Sequence, residues 1–235
     1  MLSIIIPTLN EEKYLPRLLE SIKRQKFSDY EIIVSDGNSE DRTVEIAQAN
    51  GCRTTSDSRR HPSYQRNNGA RIARGDILLF LDADSTLGDN FLEKVVSEFN
   101  IRQLGVSGFY LKFGSNKTSY WLCALGYNTF CFVRQYISPV AVGAGIVIKR
   151  EHHEQINGFD ETLYVAEDYD YCARASRVGR FRILRSQKLT YSVRRMEREG
   201  SWRALLKWLA MGRYTLFNIP IRKKIIDYKM GGQEE

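Results

Sequence analysis

Along the first 100 residues, apolar and polar positions fall into two alternating kinds of block. Short aliphatic or β-branched runs at 2–6, 31–35 and 76–81 stop at Pro7, Asp36 and Asp82, the pattern of buried strands that end in turns. Between them, apolar residues recur at helical spacing. Tyr14, Leu15, Leu18, Leu19 and Ile22 form one stripe, with Pro16 in the first turn, where its missing N–H costs little. Phe91, Leu92, Val95, Val96 and Phe99 form another. Residues 39–48 predict a helix capped by Ser39, with Glu40 and Asp41 in its positive first turn and Gly51 at its stop. Residues 64–73 predict a further helix, and 52–55 a weak strand before a polar, basic loop at 56–62. Strands that alternate with helices predict an α/β fold with a mostly parallel central sheet and helices on both faces. In such sheets ligands bind beyond the carboxyl ends of the strands.

The second half is less regular. Residues 142–149 predict a strand with a flexible start, Gly143-Ala144-Gly145, and Gly158-Phe159-Asp160-Glu161 predicts a turn. Residues 167–178 predict a helix and 181–184 a short strand. The longest apolar run, 120–133, has 14 residues and includes Asn128 and Thr129. A membrane span needs roughly 20, so a buried helix is expected there. His152 and His153 read as solvated residues at a helix start. Trp202, Leu205, Leu206 and Leu209 mark a final amphipathic helix, with Arg203 and Lys207 on another face. The expected organisation is one domain, 1–235, with a regular first half at 1–100, a less regular second half at 101–190 and a basic amphipathic extension at 191–235.

Composition narrows the class. Apolar residues make up 43% and charged residues 27%, which excludes disorder as the default. The net charge of +7 is uneven: from Arg174 onward there are 16 Lys and Arg against five Asp and Glu. That asymmetry fits either a polyanionic partner or a solvated basic face. No DNA- or RNA-binding motif accompanies it, so no nucleic-acid partner is expected. Cys52, Cys123, Cys131 and Cys172 contain no C-x-x-C pair, and Met1 to Thr8 has no basic leader, so reduced thiols in the cytoplasm are expected.

Three stretches can carry chemistry. Asp82-Ala83-Asp84 follows an apolar strand, and carboxylates at i and i+2 face one side if the strand persists. Such a pair can share a hard divalent cation; taken alone, it is equally an acidic turn. Pro7-Thr8-Leu9-Asn10-Glu11-Glu12 joins the first strand to the first helix and lacks the glycines of a phosphate loop. It can hold a nucleoside, or simply cap a helix through Asn10. Asp36, in Val34-Ser35-Asp36-Gly37-Asn38-Ser39, can accept hydrogen bonds from a base or ribose, or close an Asx turn.

In order and spacing these stretches, with Gln65-Arg66-Asn67-Asn68-Gly69-Ala70, Gly75-Asp76-Ile77-Leu78-Leu79-Phe80-Leu81, Gly143-Ala144-Gly145, Gly158-Phe159-Asp160-Glu161 and Glu167-Asp168, resemble the family-2 glycosyltransferases of GT-A fold over about residues 2–185. The resemblance implies inverting sugar transfer from a nucleotide-diphosphate sugar to a glycan or lipid-linked acceptor. Pro7, Leu9 and Glu11 would line the nucleoside pocket with Thr8 beside them, Asp36 would contact the base, and Arg66 would sit near the base or the phosphates. Asp82 would contact the ribose or metal, Asp84 would ligate Mg²⁺ or Mn²⁺, and Asp168, paired with Glu167, would be the catalytic base. Many such proteins carry a late histidine at the metal; here His61, His152 and His153 all precede Asp168. Arg194 or Arg195 is expected to neutralise the diphosphate instead. The basic end permits peripheral contact with anionic membrane. The rival functions are a sugar-nucleotide-forming nucleotidyltransferase and a non-catalytic nucleotide-binding module.

Overall fold

The computed structural model describes residues 1–115 and 117–194, then residues 197, 200, 202, 203, 205–207, 209, 210, 221 and 222. Seven strands form one sheet in the order β3-β2-β1-β4-β6-β5-β7. They are β1 (Leu2–Thr8), β2 (Tyr30–Asp36), β3 (Arg53–Ser56), β4 (Ile77–Leu81), β5 (Val106–Phe113), β6 (Gly145–Lys149) and β7 (Leu184–Tyr191). The helices are α1 (Leu15–Lys23), α2 (Thr43–Ala49), α3 (Pro62–Ile72), α4 (Phe91–Ile101), α5 (Thr118–Arg134), α6 (Arg150–Gln155) and α7 (Glu167–Ala175). The sheet is mostly parallel; β6 alone runs antiparallel to both of its neighbours, β4 and β5.

The unbroken apolar runs of β1 and β4 follow from their central place. Ile4, Ile5 and Ile6 in β1 and Leu78, Leu79, Phe80 and Leu81 in β4 are fully buried, because helices lie around the sheet and leave neither strand face in water. The register then sets the site. Thr8 at the end of β1 lies opposite Asp36 at the end of β2. Leu81 lies opposite Gly145, which brings 143–145 alongside Asp82.

Four expectations change. The helix expected from Ser39 begins at Thr43. Ser39 is consumed elsewhere: its hydroxyl donates to Asp36 and accepts the N–H of Asn10, while the Asp41 carboxylate accepts the Thr43 N–H. The short strand expected at 181–184 is instead β7, eight residues long and mostly polar, paired with β5. Strand β5 itself is broken in pattern by Ser107 and Gly108, where a side chain on Gly108 would collide with Ala141. His153 is not solvated: its Nδ1 lies 2.6 Å from the Tyr171 hydroxyl, and burial pushes its pKa down to about 4.

The fourth change concerns α5, whose inner side is buried while its outer side is apolar and exposed. No helix among the described residues is long and apolar enough to cross a membrane.

Candidate active site

The strand ends place the first group of side chains. Thr8 Oγ1 donates to Asp36 Oδ1 at 2.8 Å, and Ser39 supplies its N–H and its hydroxyl to the same carboxylate at 2.7 and 2.6 Å. A carboxylate offers about four lone-pair positions. Asp36 therefore spends most of its capacity on joining the β1 and β2 ends. Leu9 and Thr8 are buried and Pro7 is half-buried beside them. The Glu11 N–H donates to Thr43 Oγ1 at 2.8 Å, which fixes the turn into α1.

At the end of β4 the second group assembles around Arg66. Its guanidinium lies 3.0 Å from Asp82 Oδ1 and 3.0 Å from Glu167 Oε1. Arg66 comes from α3 and Glu167 from the first turn of α7, so one cation joins the two halves of the chain. Glycine at 143 makes room for it, since a Cβ there would come within 2.5 Å of Arg66 Nη2. Asp168 follows Glu167. Its carboxylate accepts the Gly143 N–H at 2.7 Å and the Tyr169 N–H at 2.8 Å. Burial and the neighbouring Glu167 raise its pKa well above the carboxylate range, while Arg66 and the two N–H donors pull it back.

The third group meets across the chain. Arg194, just beyond β7, lies 3.3 Å from Glu11 Oε1 and 3.3 Å from Asp84 Oδ2, and its guanidinium sits 4.7 Å from the centre of the Tyr14 ring. Burial raises Glu11 to about 7, with Arg194 opposing and Asp84 and Asp82 adding to the rise. Asp84 is likewise raised, first by burial and then by Asp82. These carboxylates are short of positive charge. Asp84, two residues beyond Asp82 at the same strand end, offers oxygens that suit a hard divalent cation such as Mg²⁺ or Mn²⁺. Among the described residues there is no group of three or more His, Cys, Asp or Glu arranged to hold a metal.

The structure thus joins Glu11, Asp84 and Arg194 in one cluster and Asp82, Arg66 and Glu167 in a second, with Asp168 beside the second. Asp36 and Thr8 pair with each other. Arg66 was expected near base or phosphates; its partners are two carboxylates. Arg195 lies outside the described residues. Two contributors carried no sequence signal of their own. Tyr14 looked like part of the α1 stripe, and Ser192, which hydrogen-bonds Asp84, carried no reading of its own.

Residues 3–157 match the family described as "Glycosyl transferase family 2". A protein of Haemophilus influenzae known as an uncharacterized glycosyltransferase is 30% identical over 187 residues, which is 73% of this chain and 60% of that protein. The GalNAc(5)-diNAcBac-PP-undecaprenol beta-1,3-glucosyltransferase of Campylobacter jejuni is 34% identical over 108 residues, 42% of this chain and 34% of that one. The chain therefore spans less than two thirds of the length of these relatives. Among solved structures, the mannosyltransferase PcManGT of Pyrobaculum calidifontis, in complex with GDP-Man and Mn²⁺, matches with a TM-score of 0.70 at 18% identity, over 91% of this chain and 69% of that one. That likeness shows the GT-A fold. With the family match extending over well more than half of its residues, the chain belongs to glycosyl transferase family 2.

Proposed function

We propose that this chain is an inverting glycosyltransferase that moves a sugar from a nucleoside-diphosphate sugar to an acceptor hydroxyl or lipid phosphate, with Asp168 as the general base. The donor half is 1–100 and the acceptor half 101–190; most of the extension expected at 191–235 lies outside the described residues. The observation that carries this reading is the Asp82–Arg66–Glu167 chain of ion pairs, both links at 3.0 Å, because it ties the acidic end of β4 to the residue next to Asp168.

The reaction needs a base beside the acceptor and positive charge beside the leaving group. Asp168 is held by two backbone N–H groups and stays half-buried, so its carboxylate can take the proton as the acceptor oxygen bonds to the anomeric carbon. The bond from that carbon to the diphosphate breaks on the opposite side, and the nucleoside diphosphate departs. No covalent enzyme intermediate is required. Glu167 has its carboxylate engaged by Arg66, so it positions Asp168 rather than acting as a second base. Pro7, Thr8, Leu9 and Asp36 shape the nucleoside pocket. Asp82 and Asp84 would hold Mg²⁺ or Mn²⁺, which when bound supplies Lewis-acid neutralisation of the diphosphate. Arg194 faces the same acidic cluster and can turn to the diphosphate, since its contacts with Glu11 and Asp84 are 3.3 Å or longer.

The GDP-Man and Mn²⁺ bound to the Pyrobaculum enzyme support a nucleotide-sugar donor and a divalent ion, and the undecaprenyl diphosphate in the Campylobacter enzyme's name supports a lipid-linked acceptor. The direct test is a thermal-shift panel of UDP, GDP and dTDP sugars, each with and without Mn²⁺, followed by product analysis. A selective response and release of nucleoside diphosphate are expected; release of pyrophosphate would favour a nucleotidyltransferase. Asp168→Asn should keep the donor response while turnover falls roughly 10²–10⁴-fold. Unchanged turnover would remove Asp168 from the chemistry.

A further inference from the structure

Helix α5 carries its apolar residues on the wrong side for a core helix. Its inner side buries Tyr127, Cys131 and Arg134, and Asn128 exchanges two hydrogen bonds with the Leu111 backbone of β5, at 2.8 and 2.9 Å. The outer side presents Trp121, Leu122, Leu125, Phe132 and Val133, followed by Tyr136 and Ile137. Trp121 is 62% exposed, Leu125 49% and Ile137 69%, and no charged residue interrupts the stripe. Their spacing along α5 keeps them on one face.

A second helical run extends this surface. Leu205 is buried and close to α5, so that a Cβ on Gly126 would come 3.4 Å from it. Trp202, Leu206 and Leu209 of the same run remain exposed, Leu206 at 64%. Exposed cations lie on the same elements: Lys117 immediately precedes α5, and Arg203 shares the second run. Arg203 belongs to the stretch from residue 174 onward that holds 16 Lys and Arg against five Asp and Glu. An apolar face with tryptophans and basic neighbours fits the interface of an anionic bilayer, which takes the rings at headgroup level and the cations against phosphate.

We propose that the outer face of α5, together with the exposed Trp202, Leu206 and Leu209, is the docking surface for an anionic lipid bilayer. Its position gives the docking a purpose. The inner face of α5 turns towards the base: burial raises the Tyr127 and Cys131 pKa values, and the nearby charge of Asp168 adds to the rise of both. A helix with its side chains is about 10 Å across. The base is therefore about one helix from the bilayer, and a lipid-linked acceptor can present its polar head to Asp168 while its tail stays in the membrane. This last step rests on the proposed sugar transfer; the docking does not.

Flotation of the full chain with vesicles separates the two. Vesicles of phosphatidylcholine alone are compared with vesicles containing 30 mol % phosphatidylglycerol, each at about 50 and 500 mM NaCl. Binding to the anionic vesicles that weakens at high salt is expected. Trp121→Glu with Leu125→Glu should weaken it at least ~10-fold, because both side chains leave the apolar interface. An unchanged circular dichroism spectrum and donor thermal shift would show that this variant is folded; if it is not, Trp202→Glu with Leu206→Glu serves instead. Absence of binding to anionic vesicles, or binding untouched by folded variants, overturns the proposal. So does a dimer in sedimentation that the same substitutions dissolve, since the face would then be covered by a second copy. Flotation uses no sugar donor, so its failure leaves the transferase reading standing, and the converse holds.

Discussion

Arg66 and Arg194 each bridge two carboxylates, yet their settings differ. Arg66 rises from the middle of α3, has a side chain only 4% exposed, and lies 3.0 Å from both Asp82 and Glu167. Arg194 follows the last strand, is 25% exposed, and stands 3.3 Å from Glu11 and from Asp84. Burial makes an unpaired charge costly, so the first arginine is held by the fold. The second keeps partial access to water, so its contacts can be exchanged for those of a ligand. One cation is fixed within the site, and the other, in the proposed reaction, can exchange its partners for the substrate.

The largest expected effect is on stability. Arg66→Ala leaves Glu167 buried without its cation and should cost about 3–5 kcal/mol, read from urea unfolding. A loss below about 1 kcal/mol would make Arg66 as dispensable as a surface residue. Arg194→Ala should cost less stability than Arg66→Ala, because Glu11 and Asp84 already have raised pKa values and can take up protons when their cation is removed, while the KM for the donor rises roughly 10–100-fold, the equivalent of one charge-assisted hydrogen bond. If donor KM and turnover stay unchanged, Arg194 does not touch the diphosphate.

The pH profile distinguishes the two arginines further. Burial and Glu167 raise the Asp168 carboxyl, and Arg66 lowers it. Activity that needs ionised Asp168 should therefore rise with pH above the ordinary carboxylate range, seen as the acid limb of kcat/KM. Arg66→Gln should move that limb to higher pH, and Arg194→Gln should leave it in place. For stability the sign is opposite: the folded chain keeps a proton that the unfolded chain has released, so this group's contribution falls as pH rises through its folded pKa. The smallest effect belongs to Gly143→Ala. Its methyl group would press on Arg66 Nη2, with an expected cost of about 1–3 kcal/mol, and Arg66→Ala should relieve most of it in a double-mutant cycle.

Much of the first half was legible because its signals are local. Central strands covered on both faces need uninterrupted apolar runs, which picks out β1 and β4, and helical spacing picks out α1 and α4. The start of α2 was misread because Ser39 had a stronger partner in Asp36 than in a helix end. Strand β5 was missed and β7 misplaced for a different reason. Edge β7 is mostly polar, and β5 carries a glycine that only its packing against Ala141 explains.

The candidate site divides along the same line. Asp36, Asp82 and Asp84 stand at or just past strand ends, and that much follows from periodicity and chain order alone. Which acids share a cation does not, because Arg66 and Glu167 are 101 residues apart, and Glu11 and Arg194 are 183 apart. Composition likewise marks α5 as apolar, but it cannot say which side of the helix meets the protein. Periodicity is a short-range property of the chain, whereas pairing and exposure depend on what folding brings alongside; so the sequence determined the elements and the acidic strand ends, and the tertiary structure decided their partners and the outward face of α5.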